Sequence, residues 1–536
     1  MSLFLILVAV VIFTCVLLNT ASNRIGMPVL LAFILLGMLF SNNGLMPVQI
    51  NNYNFVEQLC STALIFIMFY GGFGTRWSSA KPVAVEAILL ATAGVIATAC
   101  ITGVLCHYIL GWRWVEALLM GAVVSSTDAA SVFSILRSRK LGLKNGIAPL
   151  LEVESGSNDP CAYMMTIVML SMLGAPVGAG KIAVTLLLQL GLGTIFGLII
   201  AQVAAYLLNH LDLSSSSGFD SMFLIAIALF SYAIPSVCGG NGYLSTYIVG
   251  LVLGNLGFNA KKDMVHFFDG FTGLMQILIF FMLGLLARIM DLRQAILPAI
   301  VIFLILFLVA RPAAVAAILT PFRKYRFRDQ ALVSFSGLRG ASSIVFAIVA
   351  IVGGKHLDND IFNIVFCIVL ISIAFQGYLL PWVAQKLDMI DPDTDVMKTF
   401  SDFSEEVQLQ FSEVRIVEDS EWRDKMVRNL HVPREVLLCL LIKPDGKRLV
   451  PNGNTVFELG DRVVVCSKTV DSAEQVKVQQ YTVREDPRFK DRQKTIRDFP
   501  VQKGQVMLLV RNGERIIPHG STPVQPGDIL YINRSV

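Results

Sequence analysis

Long apolar runs recur through the first 390 residues of this 536-residue chain. A helix needs about 20 apolar residues to cross a bilayer, whereas a membrane β-barrel strand alternates polar and apolar residues over about 10 positions. The continuous runs therefore predict an all-α polytopic membrane protein with about thirteen transmembrane helices. The predicted spans are residues 2–20, 27–41, 55–75, 82–110, 113–136, 147–173, 181–208, 219–237, 243–257, 266–288, 295–319, 329–353 and 361–386.

Charged residues separate this membrane body from a polar tail. The first 390 residues contain 37 Lys, Arg, Asp and Glu residues, whereas the last 146 contain 45. A mean hydropathy of +0.66 excludes a soluble enzyme of ordinary composition. The net charge of +4, without any run of five basic residues, excludes nucleic-acid binding. The nine cysteines are scattered without paired spacing, so neither a zinc site nor a disulfide framework is expected.

Basic residues are unevenly divided between the two sides of the predicted spans. If residue 1 is outside, thirteen Lys and Arg residues fall in cytoplasmic loops and five in the opposite loops. The cytoplasmic residues are Arg24, Arg76, Lys81, Arg137, Arg139, Lys140, Lys144, Lys261, Lys262, Arg323, Lys324, Arg326 and Arg328. The opposite residues are Arg113, Lys181, Arg288, Arg293 and Lys355. The positive-inside rule then predicts an N-terminus outside and a tail in the cytoplasm.

Two predicted spans contain polar clusters that lipid would not accept. The fifth span contains Ser, Ser, Thr and Asp at 125–128, and the sixth contains a polar stretch at 152–160. Ionisable groups inside spans indicate a functional site, although a single one can also be a hydrogen-bonded packing residue. Hard cations prefer oxygen ligands, and a buried carboxylate can hold either a proton or the ion, which predicts exchange. The candidate ion and proton site is Thr127, Asp128, Ser155, Asn158 and Asp159.

The twelfth predicted span contains a second polar stretch, at 336–343, where Gly and Ser residues surround Arg339. Two interrupted helices in separate halves of a chain are expected of inverted-repeat transporters. Ser-rich spans also arise from helix packing alone, and that alternative stays open. A buried Arg needs an anionic partner, so we expect Arg339 to pair with Glu154 or Glu152.

Three other ionisable residues in the spans are not expected to belong to the site. Arg311-Pro312 is a candidate for a further broken point, but the favoured interpretation is that Arg311 lies close enough to the cytoplasmic end of its span for its charged head to reach water. Glu116 and Asp269 lie near span ends and are expected to be solvated.

Three motifs together resemble a known transporter family. They are Thr127-Asp128, then Glu154-Ser155-x-x-Asn158-Asp159-Pro160, then Gly337-Leu338-Arg339-Gly340-Ala341. They resemble the Asn-Asp branch of the monovalent cation:proton antiporters, in particular bacterial potassium/proton antiporters of the cell volume regulation protein A or NhaP type. The resemblance covers about residues 5–390. It implies a core domain of crossed broken helices beside a dimerisation domain.

The same resemblance implies roles for individual residues. Asp159 would be the carboxylate that carries the ion and the proton. Asn158, Thr127 and Ser155 would support it, and Glu154 would form an ion pair with Arg339 in the core. A homodimer in the inner (cytoplasmic) cell membrane is also implied.

Two departures within the family bear on the transported ion. Asn158 stands where electrogenic relatives have a second Asp, which implies electroneutral one-for-one exchange. The third span has no carboxylate at 69–74, where part of the family has one, and this favours K⁺ over Na⁺. We expect a secondary antiporter, not an enzyme, that exchanges cytoplasmic K⁺ or Na⁺ for protons by alternating access. A Na⁺/H⁺ antiporter, a ligand-gated cation channel and a non-transporting sensor are the alternatives.

The tail contains a repeated unit after an acidic linker at 391–408. Alternating β-branched residues and turn residues indicate strands. The segment from Pro451 to Asp461 recurs from Pro518 to Asp528, at an offset of 67 residues. The two copies, at 409–478 and 479–536, resemble the TrkA-C domain, which is the C-terminal half of the RCK module (RCK-C). No Gly-x-Gly-x-x-Gly motif follows a strand in the tail, so the nucleotide-binding half of that module is not expected.

The resemblance of the tail implies an α+β, dimerising sensor of a small ligand, with cyclic di-AMP as one candidate. The repeated Pro and Gly-Asp residues are also ordinary turn residues. A folded dimerisation tail without a ligand therefore stays an equal alternative. The sequence predicts no ligand-binding residue in the tail.

Overall fold

A computed structural model divides the chain into two compact units, Met1–Ser404 and Glu405–Val536. The first unit is helical and the second is built on β-sheets, which confirms the predicted fold class. The structure describes residues 9–15, 17, 29–41, 52–139, 141–174, 178–210, 219–256, 261–287, 289–354, 357–391, 409–418, 420, 422–430, 436–444, 448–468, 478–483, 495–496, 505–511, 514–516, 518, 522–525 and 527–533.

The first unit is a bundle of apolar helices that follow the predicted spans. Residues 9–15 are helical. The helices after them are α1 (Val29–Leu39), α2 (Tyr53–Gly74), α3 (Trp77–Leu110), α4 (Trp114–Val123), α5 (Ala129–Ser138), α6 (Ile147–Gly174), α7 (Ala179–His210), α8 (Phe219–Val237), α9 (Gly242–Gly254), α10 (Lys261–Leu286), α11 (Ile289–Ile305), α12 (Arg311–Leu319), α13 (Phe327–Phe335), α14 (Ala341–Gly353) and α15 (Ile361–Lys386). Within the described ranges, seven helices are long and apolar enough to cross a membrane, and four more are shorter and apolar.

Two of the predicted spans are broken in the middle, as their polar residues predict. α4 ends at Val123 and α5 begins at Ala129, while α13 ends at Phe335 and α14 begins at Ala341. Ser, Thr and Asp side chains compete for backbone hydrogen bonds, and Gly weakens a helix, so both interruptions have a local cause. The sixth span is different, because α6 continues without a break through its polar stretch.

Three π-turns interrupt other helices without separating them. They lie at Leu90–Gly94 in α3, at Leu306–Ala310 between α11 and α12, and at Ser372–Gly377 in α15. A π-turn inserts one extra residue, so it rotates the side chains that follow it, and such turns are frequent at functional sites. Arg311 is the first residue after one of them.

Glycines bring α2 and α9 into direct backbone contact. A Cβ atom on Gly250 would meet the backbone carbonyl of Phe69, and one on Gly72 would meet the backbone of Tyr247. Gly254 lies equally close to the backbone of Phe73. Small residues allow membrane helices to approach closely, so these positions have no room for a side chain.

A two-stranded sheet lies within the first unit. β1 (Gly142–Leu143) follows α5, and β2 (Ile390–Asp391) follows α15. The strands are antiparallel, with Gly142 opposite Asp391 and Leu143 opposite Ile390. The last described residues of the first unit are thereby attached to the loop between α5 and α6.

The second unit contains two four-stranded antiparallel sheets with the same strand order. The first sheet consists of β3 (Leu409–Arg415), β4 (Val436–Ile442), β5 (Arg448–Leu449) and β6 (Arg462–Lys468), in the order β3-β6-β4-β5. The second consists of β7 (Val478–Thr482), β8 (Gln505–Arg511), β9 (Glu514–Ile516) and β10 (Ile529–Asn533), in the order β7-β10-β8-β9. In both sheets the first strand therefore pairs with the last, which pairs with the second.

The repeated Gly-Asp motif forms the same turn in both sheets. Asp461 accepts a hydrogen bond from the Glu458 amide at 2.9 Å and pairs with Lys443 at 3.0 Å. At the corresponding place Asp528 accepts from the Gln525 amide at 2.7 Å and pairs with Arg511 at 2.6 Å. Both carboxylates are buried. The preceding glycines, at 460 and 527, have φ values of 87° and 93°, a conformation that favours glycine.

Candidate ion-binding site

The two unwound segments, 124–128 and 336–340, cross each other and are joined by hydrogen bonds. The Asp128 amide donates to the Leu338 carbonyl at 2.9 Å. The Arg339 guanidinium donates from Nη1 to the carbonyls of Ser125 and Ser126, at 2.8 and 2.6 Å. Buried backbone groups that leave a helix need partners, and here each segment supplies them to the other.

The charged residues of the crossing lie at helix ends of opposite polarity. Asp128 accepts hydrogen bonds at the start of α5, from the Ser131 amide at 3.1 Å and the Ser131 hydroxyl at 2.5 Å. Its carboxylate is also within hydrogen-bonding reach of the Ala341 amide, at the start of α14. Arg339 instead bonds to carbonyls beyond the end of α4. A carboxylate at helix N-termini and a cation at a helix C-terminus both offset the helix dipoles.

Asp159 lies on α6 and faces the crossing. It is 5% exposed and accepts a hydrogen bond from the Ser126 hydroxyl. Ser126 is 2.9 Å from the hydroxyl of Ser342, which is in the first turn of α14 and also within hydrogen-bonding reach of Asp159. One carboxylate on a continuous helix is thus contacted by hydroxyls from both broken helices.

Three of the other predicted residues hold the unwound segment against α6. The Asn158 side-chain amide donates to the Thr127 hydroxyl at 2.6 Å. Ser155 donates to the Thr127 carbonyl at 2.9 Å and accepts from the Ala129 amide at 2.9 Å. Ser126 Oγ is also 3.3 Å from Asn158 Oδ1, which connects this set to Asp159.

The structure therefore brings together all five predicted site residues, with two additions. Ser126 and Ser342 contact Asp159 directly, although neither was among the predicted site residues. Their signal in the sequence was their position beside Thr127-Asp128 and within the Gly-rich motif of the twelfth span. Hydroxyl, amide, carbonyl and carboxylate oxygens gathered around one acid suit a hard monovalent cation or a proton.

The predicted ion pair between Glu154 and Arg339 is wrong. Glu154 instead forms a two-pronged pair with Arg311, at 2.6 Å between Oε1 and Nη1 and at 2.9 Å between Oε2 and Nη2. Both side chains are almost fully buried, at 1% and 4% exposed, so Arg311 does not reach water as expected. Arg339 instead donates hydrogen bonds to the carbonyls of Ser125 and Ser126.

Polar residues of the π-turn in α15 form hydrogen bonds with backbone groups at the interruption between α13 and α14. Gln376 donates to the Phe335 carbonyl, the last of α13, at 3.1 Å. Ser372 donates to Gln376 at 2.6 Å and accepts from the Arg339 amide at 3.1 Å. These two residues were not predicted, and only their polarity inside an apolar span indicated a role.

Glu116 is buried, contrary to the expectation that it is solvated. It is 0% exposed and accepts hydrogen bonds from the Asp358 amide at 3.0 Å and the Asn359 side chain at 2.6 Å. These contacts fix the loop after α14 to the start of α4, away from Asp159. Among the described residues, no group of three or more His, Cys, Asp and Glu side chains could hold a metal ion.

Comparisons with known proteins identify the family to which the chain belongs. A family model for the transmembrane region of sodium/hydrogen exchangers matches residues 8–386, and a TrkA-C domain model matches residues 411–474. The chain is 34% identical over 475 residues to the K(+)/H(+) antiporter NhaP of Alkalimonas amylolytica, covering 88% of this chain and 82% of that protein. It is 33% identical over 504 residues to the K(+)/H(+) antiporter NhaP2 of Shewanella sp. (strain MR-4), covering 91% and 85%.

A solved structure shares the fold of the membrane unit. It is that of the sodium proton antiporter MjNhaP1 from Methanocaldococcus jannaschii, with a TM-score of 0.63 and 23% identity. The match covers 72% of this chain and 99% of that one. Since the exchanger model alone matches well over half of the residues, the chain is a multi-pass membrane protein that belongs to the sodium/hydrogen exchanger family, with a TrkA-C domain after its membrane region.

Proposed function

We propose that the protein is a secondary antiporter that exchanges cytoplasmic K⁺ for protons by alternating access. The observation that carries this proposal is the position of Asp159, a buried carboxylate contacted by hydroxyls from both broken helices. A proton and a dehydrated cation would compete for its oxygens, so that only one of them is bound at a time. Competition at one acid, exposed alternately to the two sides, gives obligatory exchange when the site changes sides only with a proton or a cation bound.

The roles proposed for the neighbouring residues follow from their contacts. Asn158, Ser155 and Thr127 orient the unwound segment and offer neutral oxygens near Asp159. Asp128 is engaged by the starts of two half-helices, which supports a structural role beside the ion rather than a second titrating ligand. With Asn158 neutral and Asp128 so engaged, one carboxylate alternates between proton and cation, and we propose that exchange is electroneutral.

The choice of K⁺ over Na⁺ is supported by two independent facts. The relatives at 33% and 34% identity are named K(+)/H(+) antiporters. In addition, the segment 69–74 of α2 contains no carboxylate that could strengthen the site. A weaker anionic site favours the ion that loses its water more easily, which is K⁺. Exchange of Na⁺ by the same site is the second candidate.

The test is proton exchange by purified full-length protein in liposomes that contain a pH-sensitive dye. A K⁺ gradient is expected to drive proton movement in the wild type, and Asp159→Asn is expected to abolish it, because an amide cannot release a proton. Parallel gradients of Na⁺, Rb⁺ and Li⁺ would rank the ions. An imposed membrane potential should leave the rate unchanged if the exchange is electroneutral.

A matched control is Asp269→Asn, which makes the same chemical change at a carboxylate that accepts a hydrogen bond from Tyr70 and lies outside the site. This variant should keep its exchange activity. Persistent cation-driven proton movement by Asp159→Asn would overturn the assignment. Flux that follows the membrane potential without moving protons would instead favour a ligand-gated channel.

A homodimer is a further part of the proposal. α7 is mostly apolar, yet only 17% of an 18-residue apolar stretch within it is buried within one chain. Its exposed side chains include Leu187, Ile195, Leu198 and Val203. Such a face contacts either lipid or a second copy of the chain. The family resemblance implies a dimerisation domain, which favours contact with a second copy.

We also propose that the tail regulates exchange and that both of its sheets are TrkA-C-like. The family model covers the first sheet, and the second has the same strand order and the same Gly-Asp turn. A small nucleotide such as cyclic di-AMP is the proposed class of regulator. The equal alternative is a tail that acts through dimerisation without a ligand.

A further inference from the structure

The loop between α5 and α6 is attached to the segment that leads into the tail. Besides the pairing of β1 with β2, the Lys144 amide donates to the Met389 carbonyl at 2.9 Å. The Lys144 ammonium lies 3.0 Å from the Asp388 carboxylate. We refer to residues 142–145 and 388–391 together as the joint.

The joint also contacts the second broken helix. The Asn145 side chain donates to Asp329 at 2.9 Å. Asp329 is 1% exposed and accepts from the Arg326 amide at 2.7 Å, so it caps the start of α13. Three elements of the ion site therefore meet at the joint, namely the end of α5, the start of α6 and the start of α13.

Both sides of the joint have unusual backbone conformations. Asn145 has a φ of 60° and Asp388 a φ of 58°, in the left-handed region that few residues other than glycine adopt. Asp388 ends α15 in a turn where the Met389 amide donates to the Ala384 carbonyl at 3.0 Å. Asn and Asp are the non-glycine residues that best tolerate this conformation, which indicates a fixed connection between two defined turns.

The ion pair of the joint is charged at physiological pH. The hydrogen bond and the positive charge of Lys144 lower the pKa of the exposed Asp388 carboxyl, and Arg328 adds to the effect. The carboxylate is therefore ionised throughout the range in which a cytoplasmic surface operates.

We propose that Lys144 and Asn145 are positioning residues through which the tail acts on the ion site. The proposal rests on the proposed exchange function. Residue 391 is the first residue of the linker to the tail, so a change in the tail is transmitted as force on 388–391. From there the joint carries it to the start of α6, which holds Asp159 twelve residues after Ile147, and to the start of α13. A tail that alters exchange should lose this influence when the joint or the linker is loosened.

The test uses the full-length chain in four forms and measures cation-driven proton exchange across pH. They are the wild type, Lys144→Glu, an insertion of eight Gly and Ser residues after Asp395, and the combination. The substitution opposes two carboxylates in the joint, whereas the insertion slackens the linker and leaves the joint intact. Arg113→Glu is the matched control, since Arg113 forms an exposed ion pair with Asp358 at 2.9 Å outside the joint.

Each single change is expected to alter the exchange rate at a fixed pH in the same direction. The expected change is about fivefold, which is the lower end of the range typical of allosteric coupling between two sites. The combination should do no more than either change alone, because both interrupt one connection. Effects that multiply, an insertion without effect, or a loss in Arg113→Glu equal to that in Lys144→Glu would each overturn the proposal.

A second variant addresses folding. Asp388→Asn removes the ion pair without adding repulsion and keeps a residue that accepts a positive φ, so it should reproduce the effect of the insertion. Combined with Lys144→Glu, it should do no more than either substitution alone, because both remove the same ion pair. A wild type that exchanges no proton for any cation would contradict the proposed function, whereas a functional wild type with multiplying effects contradicts only the role of the joint.

Discussion

Glu154 and Arg311 form the most deeply buried ion pair among the described residues, with both side chains at 4% exposed or less. Removing two charges from water is costly, and a two-pronged geometry recovers that cost only while both partners are present. The pair of Lys324 with Glu86 offers a contrast, because Lys324 is 47% exposed. These two pairs should respond very differently to the loss of one charge.

Glu154→Gln should destabilise the protein by about 3–5 kcal/mol, because it leaves the buried Arg311 guanidinium without a counter-charge. The measurement is the midpoint temperature of unfolding of purified full-length protein in detergent. Glu86→Gln is the control and should cost no more than about 1 kcal/mol, since water solvates Lys324. Equal shifts in the two variants would show that burial of the pair does not matter.

The partner of Glu154 could not be predicted from the sequence. Helical spacing gives the face of α6 on which Glu154 lies, but two Arg residues on distant helices were available to reach it. The π-turn at Leu306–Ala310 decides between them, because its extra residue changes the direction in which Arg311 points. Arg339 instead donates hydrogen bonds to backbone carbonyls. Every residue has a backbone carbonyl, so the amino-acid sequence does not indicate which carbonyls Arg339 contacts.

At the scale of elements, the crossing of the two broken helices depends on close contact at Gly340. A Cβ atom there would overlap the carboxylate of Asp128. That carboxylate bonds to Ser131 in α5 and reaches Ala341 in α14, so it cannot move without releasing a helix start.

Gly340→Ala should therefore abolish cation-driven proton exchange, or reduce it at least tenfold, in the liposome assay. Gly71→Ala is the matched control, because a Cβ atom at Gly71 in α2 would meet nothing within 4 Å. The control should retain normal rates and gain slightly in stability, as Ala favours a helix over Gly by about 1 kcal/mol. A fully active Gly340→Ala protein would mean that the crossing tolerates displacement of Asp128.

Helices and their interruptions were largely predictable, because apolar length and clusters of Gly, Ser and Asp act locally. The five predicted site residues come together for the same reason, since their motifs flank the interruptions. The π-turns were not predictable, because packing between helices decides where an extra residue is accommodated. The pairing of β1 with β2 also gave no signal, as two-residue strands carry no periodicity.

At the scale of the whole molecule, the buried carboxylate of Asp528 makes the stability of the tail sensitive to acid. In the tail, burial raises the pKa of Asp528, but hydrogen bonds from Arg511 and the Gln525 amide outweigh it and hold the pKa below its usual range. At pH values between the lowered pKa of Asp528 in the folded tail and its usual pKa in the unfolded tail, the unfolded tail binds more protons. The stabilisation is complete above about pH 4, the usual pKa of Asp, and is lost as the pH falls through the folded pKa.

Asp528→Asn should make the second sheet of the tail less stable at neutral pH and less dependent on acid. Hydrogen exchange at the amides of β10 in the full-length protein, followed between about pH 3 and 7, would measure this. Asp424→Asn is a suitable control, because the Asp424 side chain is 72% exposed and lies between β3 and β4, outside the second sheet. Identical pH profiles for the wild type and Asp528→Asn would contradict the stabilising role of the pair.

The backbone contacts between α2 and α9 limit how the helices of the membrane unit can move relative to each other. Helices that touch through Gly72, Gly250 and Gly254 cannot slide past each other, because any shift would drive a neighbouring side chain into the opposite backbone. α2 and α9 are therefore expected to move together as one rigid pair. Any relative movement of helices during exchange must therefore occur outside the contact between α2 and α9.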